Sequence, residues 1–360
     1  MAAINMKRVR ELIEPFRVEP GRQVRLARDF DPGYKAGFLA KEDGEELLQR
    51  GIELLADYQS RLAAQGTVGV LMCLQALDAA GKDGTIRHVM SGVNPQGVEV
   101  HGFKVPTADE LAHDYLWRYQ QKLPARGNIG IFNRSHYEEV LVVRVHPEVL
   151  EHQRLPKSGR DVWKRRYREI NEWERHLTDN GYKVVKIFLN LSKEEQRKRF
   201  LARIDLAEKN WKFSSGDAKE REFWDDYQKA FSEMLSNTST EWAPWYVIPA
   251  DHKWFARIAA AAVLVDTLAT INPQYPVIGA EELAALDATK TVLEAEAPAG
   301  AAPDPVEAEL EAKAARKAAE KTAPADARPA DAPPADAAAA PDHNTKRDSK
   351  KKAKKKNKSK

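Results

Sequence analysis

Residues Val68 to Thr85 read VGVLMCLQALDAAGKDGT, and this stretch decides the fold. Val68 to Leu74 is a short apolar run of the kind that fills a strand buried on both faces. It runs into a turn holding Gly81 and Lys82, where a helical pattern begins. Backbone N–H groups converging at a helix N-terminus bind anions. Such a loop also needs Gly where a side chain would collide, and Lys to meet the phosphate charge. The stretch therefore predicts a phosphate loop over Asp78, Ala79, Ala80, Gly81, Lys82, Asp83, Gly84 and Thr85, with Arg87 one turn into the helix. The alternative is a glycine turn that only joins strand to helix. The match to G-x-x-x-x-G-K-[ST] is incomplete: Ala76 holds the first Gly place and Asp83 the Ser/Thr place. Asp78 is an additional acid. A carboxylate among phosphates is repulsive unless a cation lies between, which points to Asp78 as a Mg²⁺ ligand.

Working outward, four more short strands are expected: Val98–Phe103, Ile129–Asn133, Val184–Leu189 and Tyr246–Ile248. Helical patterns separate them at Asp109–Lys122, Arg160–Asn180, Lys193–Asp205, Ala218–Leu235 and Lys253–Thr270. Apolar strands spaced by long helices imply βαβ units and a parallel sheet covered on both faces. Ligands of such sheets bind beyond the carboxyl ends of the strands. The third strand ends in a polar cluster, Asn133, Arg134, His136 and Glu138. Placed beside the first strand, it faces Asp78 and Lys82. Arg134 can fork onto phosphate oxygens. Asn133 serves as a neutral oxygen ligand or water orienter, and Glu138 adds a second metal carboxylate. The alternative is a charged surface turn. A third region, Arg197 to Arg221, carries Arg199, Arg203, Lys212 and Arg221 with Trp211 and Phe213 between. It reads as a basic lid over transferring phosphates. A solvated helix surface, or a single-strand nucleic-acid face, fits the same residues.

Composition sets the limits. The chain has 360 residues and a formal charge of +3. Asp342 to Lys360 holds nine Lys and one Arg against two Asp, or +8, which leaves the rest at −5. The lone Cys73 permits no intrachain disulfide and disfavours a Cys-based zinc site. Met1 to Arg10 lacks the apolar centre of a signal peptide, and no uninterrupted apolar run reaches the ~18 residues of a membrane span. A cytoplasmic protein with no membrane partner is expected. Residues 1–40 read as an N-terminal arm with Pro15, Pro20 and Pro32. Residues 41–275 form the expected folded body, with the lid at about 197–221 inside it. Residues 276–360 read as a disordered Ala/Pro-rich and Lys-rich tail, with Glu307–Glu320 as a transient helix.

These segments resemble the polyphosphate kinase 2 family, its class III branch above all. The resemblance rests on LQALDAAGKDGTIRHVMSGVNPQG (Leu74–Gly97), LPARGNIGIFNRSHYEEVLVVRVHPE (Leu123–Glu148) and RIDLAEKNWKFSSGD (Arg203–Asp217). WDDYQKAFSEMLSNTST (Trp224–Thr240) and APWYVIPADHKWFAR (Ala243–Arg257) extend it over about residues 40 to 270. The resemblance implies a phosphate-loop kinase fold, a three-layer α/β/α sandwich with a helical lid, similar to thymidylate kinase. It implies phosphoryl transfer between inorganic polyphosphate and AMP, ADP and ATP, with Mg²⁺, or Mn²⁺ in its place, and a homo-oligomer, dimer or tetramer. It assigns Asp78 and Lys82 to the family's first motif and Asn133, Arg134 and Glu138 to its second. Arg199, Arg203, Lys212 and Arg221 match its lid positions.

Lys104 is expected near phosphate, and Asp109, Glu110, His113, Asp114 and Arg118 beside the acceptor nucleoside. The acids there equally suit an ordinary helix N-terminus. Two rival functions remain: a nucleoside-monophosphate kinase with ATP as donor, and a polyanion-binding protein whose Lys-rich tail captures its ligand. No specific nucleic acid is expected as partner.

Overall fold

The structure is a computed structural model; it describes residues 6–38, 42–155, 161–212 and 215–296, with single positions at 310, 312 and 315. The chain divides into two units, Met1–Ile278 and Gly279–Lys360. The first begins with α1 (Met6–Ile13) and α2 (Glu42–Gln65). Then come β1 (Gly69–Gln75), α3 (Lys82–Val89), β2 (Val98–Gly102) and β3 (Ile129–Asn133). The rest is α4 (Val162–Asp179), β4 (Tyr182–Asn190), α5 (Lys193–Asp205), α6 (Trp224–Thr238), β5 (Trp245–Pro249) and α7 (Lys253–Ile271).

The five strands form one parallel sheet in the order β2-β3-β1-β4-β5. All seven residues of β1 are buried, as the apolar run VGVLMCL requires of a central strand. Its side chains alternate between two layers. Val70, Met72 and Leu74 join α1, α2, α3 and α7 in one core, while Leu71 and Cys73 pack on the other face. Tyr167, Ile170 and Leu177 of α4, with Phe231 and Met234 of α6, cover that second face. The three-layer α/β/α sandwich is thus the observed architecture. β1 lies between β3 and β4, so the connections leave it in opposite directions and open a crevice at the strand ends.

Three differences from the expected elements appear. Residues 109–122 are two short helices, Ala108–Leu111 and Trp117–Gln120. Thr107 and Glu110 form a capping box at the first, and the Asp114 carboxylate accepts from the Leu116 amide and turns the chain before the second. The pattern over 218–235 is likewise divided, into Ser215–Glu220, a 3₁₀ turn at Arg221–Phe223, and α6. The arm over 1–40 is stitched to the body: the Val18 backbone amide donates to the Trp245 carbonyl at 2.9 Å, and the Asn190 side-chain Nδ2 donates to the Phe30 carbonyl at 3.0 Å. Phe16, Val18, Val24 and Leu26 are buried in it.

α7 is long and apolar enough to cross a membrane, although Arg257 and Asp266 interrupt its apolar run. It is mostly buried here, packed on α2 and the sheet. In the second unit, Ala280–Ala295 forms a helix, α8, with no buried residue. Ala, Glu and Leu have high helix propensity, which the tail composition obscured. The Glu307–Glu320 segment, apart from isolated positions, and the Lys-rich end lie outside the described residues.

Candidate active site

In the loop after β1, Ala79 has φ 64° and Gly81 has φ 105°. Gly81 is the N-cap of α3 and offers no side chain to the first helical amides. Those of Lys82, Asp83 and Gly84 therefore open the helix toward the crevice, where the helix dipole favours an anion. Ala80 and Thr85 spend their amides inside the loop, on the Leu77 and Gly81 carbonyls. The Lys82 ammonium donates to the Ala76 carbonyl at 2.9 Å and the Leu77 carbonyl at 3.5 Å. Burial lowers its pKa, with the Asp78 carboxylate working the other way.

β1 and β3 are paired with Leu74 opposite Asn133, so the two loop starts meet side by side. Arg134 also has positive φ, 64°, a conformation a long side chain adopts only when its surroundings enforce it. Its guanidinium lies 2.8 Å from the Asp78 carboxylate and 3.9 Å from that of Glu138. Burial tends to raise Asp78, but Lys82, Arg134 and Arg203 outweigh it and hold the carboxyl below its usual range. Glu138 goes the other way: burial raises it despite Arg134 and Lys82. Asn133 donates to Asp83 at 2.8 Å, so its amide orients the loop acid. A cavity of about 290 Å³ opens over Asp78, Arg134, Glu138, Gln196, Arg221 and Tyr227.

The basic region divides by role. Arg199, expected among the phosphate contacts, spends its guanidinium on the protein. Its guanidinium donates to the carbonyls of Ala79, Ala80, Ala250 and Asp251 at 2.6–3.1 Å and to the Glu195 carboxylate at 2.8 Å. All five N–H donors are used, so Arg199 clamps the loop from below. Arg203, one turn on, is half-buried against Phe200 and acts on Asp78. Arg221 lines the cavity and donates to Gln196, whose own amide holds the Asp78 carbonyl. The Lys212 side chain lies outside the described residues.

Lys104 is exposed, lines neither this cavity nor the next, and offers its carbonyl to Arg118. Glu110, His113, Asp114 and Arg118 border a second cavity of about 400 Å³, with Tyr115, Glu139 and Arg166. Asp109 is not among its lining residues.

Two cations escaped the sequence reading. Lys253 and Arg257 open α7, and their pKa values are lowered, by burial first and then by neighbouring positive charge: Arg199, Lys209 and Arg257 act on Lys253, and Arg87 on Arg257. Only their place beside the loop marks them, since helix α7 otherwise reads as an apolar core helix. Among the described residues no group of three or more His, Cys, Asp or Glu converges on a metal position.

Comparison with known proteins follows the same outline. The sequence model of the family described as Polyphosphate kinase 2 (PPK2) matches residues 38–276. The ADP-polyphosphate phosphotransferase of Rhodopseudomonas palustris is 51% identical over 267 residues, 72% of this chain and 91% of that relative. The AMP/ADP-polyphosphate phosphotransferase of Meiothermus ruber is 47% identical over 268 residues, 73% of this chain and 96% of the relative. The crystal structure of Polyphosphate Kinase 2 from Arthrobacter aurescens TC1 superposes with a TM-score of 0.70 at 41% identity, covering 77% of this chain and 96% of that one.

Proposed function

The chain belongs to the polyphosphate kinase 2 family, and from that premise we propose that it moves phosphoryl groups between inorganic polyphosphate and nucleotides, AMP to ADP and ADP to ATP, in the Asp78–Lys82–Arg134 cleft. The observation that carries the siting is the Arg134 guanidinium set between two carboxylates at the mouth of an uncapped phosphate loop. Donor and acceptor are both polyanions, so the main barrier to their meeting is like-charge repulsion. Two unit charges 4 Å apart interact by about 4 kcal/mol at a surface-like dielectric of ~20. Lys82, Arg134 and Arg203, with the α3 amides, supply the opposing charge in one place. Arg87, Lys253 and Arg257 continue it past the loop and suit the remaining polyphosphate chain.

The acceptor is a phosphate oxygen that is already anionic near neutral pH. No strong general base is required, and the residues act by positioning and by neutralising charge in a loose transition state. Lys82 meets the transferring phosphoryl oxygens, and Arg134 and Arg203 its equatorial charge. Asp78 stays ionised, as its lowered pKa requires.

Two carboxylates suit Mg²⁺, which takes one or two protein carboxylates and completes its shell with phosphate and water. Asp78 and Glu138 are the residues that would hold it, Arg134 yielding Asp78 in exchange for phosphate. When bound, the ion neutralises phosphate charge and orients the oxygens. The 400 Å³ cavity lined by Glu110, His113, Asp114 and Arg118 supports a nucleoside role for that region.

The test is to supply polyphosphate, Mg²⁺ and AMP and follow ADP and ATP by chromatography. Successive appearance of ADP and then ATP supports the reading. No nucleotide phosphorylation with either Mg²⁺ or Mn²⁺ would sink it.

A further inference from the structure

Beneath the active-site turn lies a set of charged and polar side chains that the transfer chemistry leaves unused. Lys186 of β4 and Glu174 of α4 are both fully buried. The Lys186 ammonium donates to Glu174 Oε2 at 2.6 Å, to the Thr238 carbonyl at 2.6 Å and to the Tyr137 hydroxyl at 3.0 Å. Its three donors are thereby spent. The Tyr137 hydroxyl donates to Glu174 Oε1 at 2.7 Å, and His136 Nε2 lies 3.2 Å from the same oxygen. Burial lowers the pKa of His136, with Glu174 working the other way, and a ring nitrogen facing an ionised carboxylate carries the proton. Burial works against the Glu174 charge, but Lys186 and His136 keep it ionised.

A buried ion pair is a weak source of stability, because apolar side chains of similar volume often serve as well or better. Direction is what such a pair adds. Lys186 and Glu174 hold the turn His136–Val140 by two of its side chains, while β4, α4 and the end of α6 supply the fixed points. Arg134 and Glu138 flank those same two residues in the chain, and both line the catalytic cavity. Arg134 keeps its positive φ only if the segment after it is pinned.

We infer that the buried Lys186–Glu174 pair is a positioning device for the reaction: through Tyr137 and His136 it sets the turn that aims Arg134 and Glu138 at the phosphate loop. The inference rests on the phosphoryl-transfer reading of the cleft.

Tyr137→Phe is the sharpest test. It keeps the ring, packed edge-on to Trp245 at 4.7 Å, and it keeps the ion pair. It removes the shorter of the two hydrogen bonds by which the turn reaches Glu174, 2.7 Å against 3.2 Å from His136, together with the Lys186 contact. Amide exchange over residues 134–141 should quicken by about tenfold while β4 is unchanged. Turnover should fall by about tenfold with the KM values for polyphosphate and nucleotide unchanged, because the aimed groups act in the transition state. In an Arg134→Ala background the same change should cost less than in wild type, because only the aim of Glu138 is then left to lose. An effect unrelated to that aim would instead multiply in full with Arg134→Ala.

The second variant combines Lys186→Met with Glu174→Leu, leaving no charge unpaired. It should fold and show the same loss of kcat. Unchanged exchange at the turn in Tyr137→Phe overturns the inference whatever the turnover. So does wild-type kcat in the folded double variant. A wild-type chain without turnover would overturn the phosphoryl-transfer reading, while amide exchange still judges the anchor by itself.

Discussion

Replacing Arg199 by Met separates a clamp from a catalytic contact. The methionine stem fills the space but deletes five hydrogen bonds, four to backbone carbonyls and one to Glu195. Ala79, Ala80 and Ala250 are all buried, so water cannot freely replace the lost donors. Hydrogen bonds to a charged group contribute about 1.5–3 kcal/mol each, and a stranded buried acceptor costs about 1–3. Allowing for relaxation and some water entry, the net loss should be about 3–5 kcal/mol. In a domain of this size each kcal/mol lowers Tm by about 2–4 °C, so calorimetry should show a fall on the order of 10 °C. Turnover measured well below that Tm should drop only by about tenfold, through a loosened loop. Arg203→Met, one helical turn away, should do the reverse: Tm nearly unchanged and turnover down by ~10²-fold. An Arg199→Met enzyme with wild-type Tm and a hundredfold loss of turnover would refute this reasoning and put the guanidinium on phosphate.

Other predictions follow from the same geometry. Lys82→Met and Asp78→Asn should each lower kcat by ~10²–10³-fold while circular dichroism is unchanged; near wild-type rates in either would misplace the site. The acid limb of kcat/KM should come from Glu138. Its pKa is raised and that of Asp78 lowered, so as pH falls Glu138 takes up a proton first. The limb should therefore lie above the ordinary glutamate value of 4.5, and Glu138→Gln should flatten it; a limb that persists unchanged contradicts the assignment. Cys73 is fully buried and burial pushes its thiol pKa up, so a thiol reagent should label it only after denaturation. Rapid labelling of the native chain would show that β1 is less enclosed than described.

Much of this was legible along the chain because it depends on neighbours in sequence. The buried strand, the Gly81–Lys82 turn and the start of α3 are consecutive, and β1 beside β3 is the neighbour order common in phosphate-loop folds. What stayed hidden depends on tertiary placement. Arg199 and Arg203 share a helix and a charge, yet one turns under the loop and the other toward Asp78. The division of 109–122 follows from side-chain bonds of Thr107 and Asp114, whereas the apolar spacing alone reads as a continuous helix. Lys186 lies in the run VVKIFL with nothing to show that Glu174 neutralises it, because the pair forms only when α4 packs on β4. Lys253 and Arg257 become part of the basic track only once α7 is laid beside the loop.

The most direct test of the account follows phosphorus itself. Full-length wild-type and Arg134→Ala chains receive polyphosphate, Mg²⁺ and ADP, and ³¹P NMR records chain phosphates, ATP and orthophosphate together. Wild type should convert chain phosphate into the γ-phosphate of ATP one for one, with negligible orthophosphate. Arg134→Ala, still folded, should do so ~10²-fold more slowly. ATP formed equally fast by both chains, or orthophosphate released in place of ATP, would contradict phosphoryl transfer in this cleft.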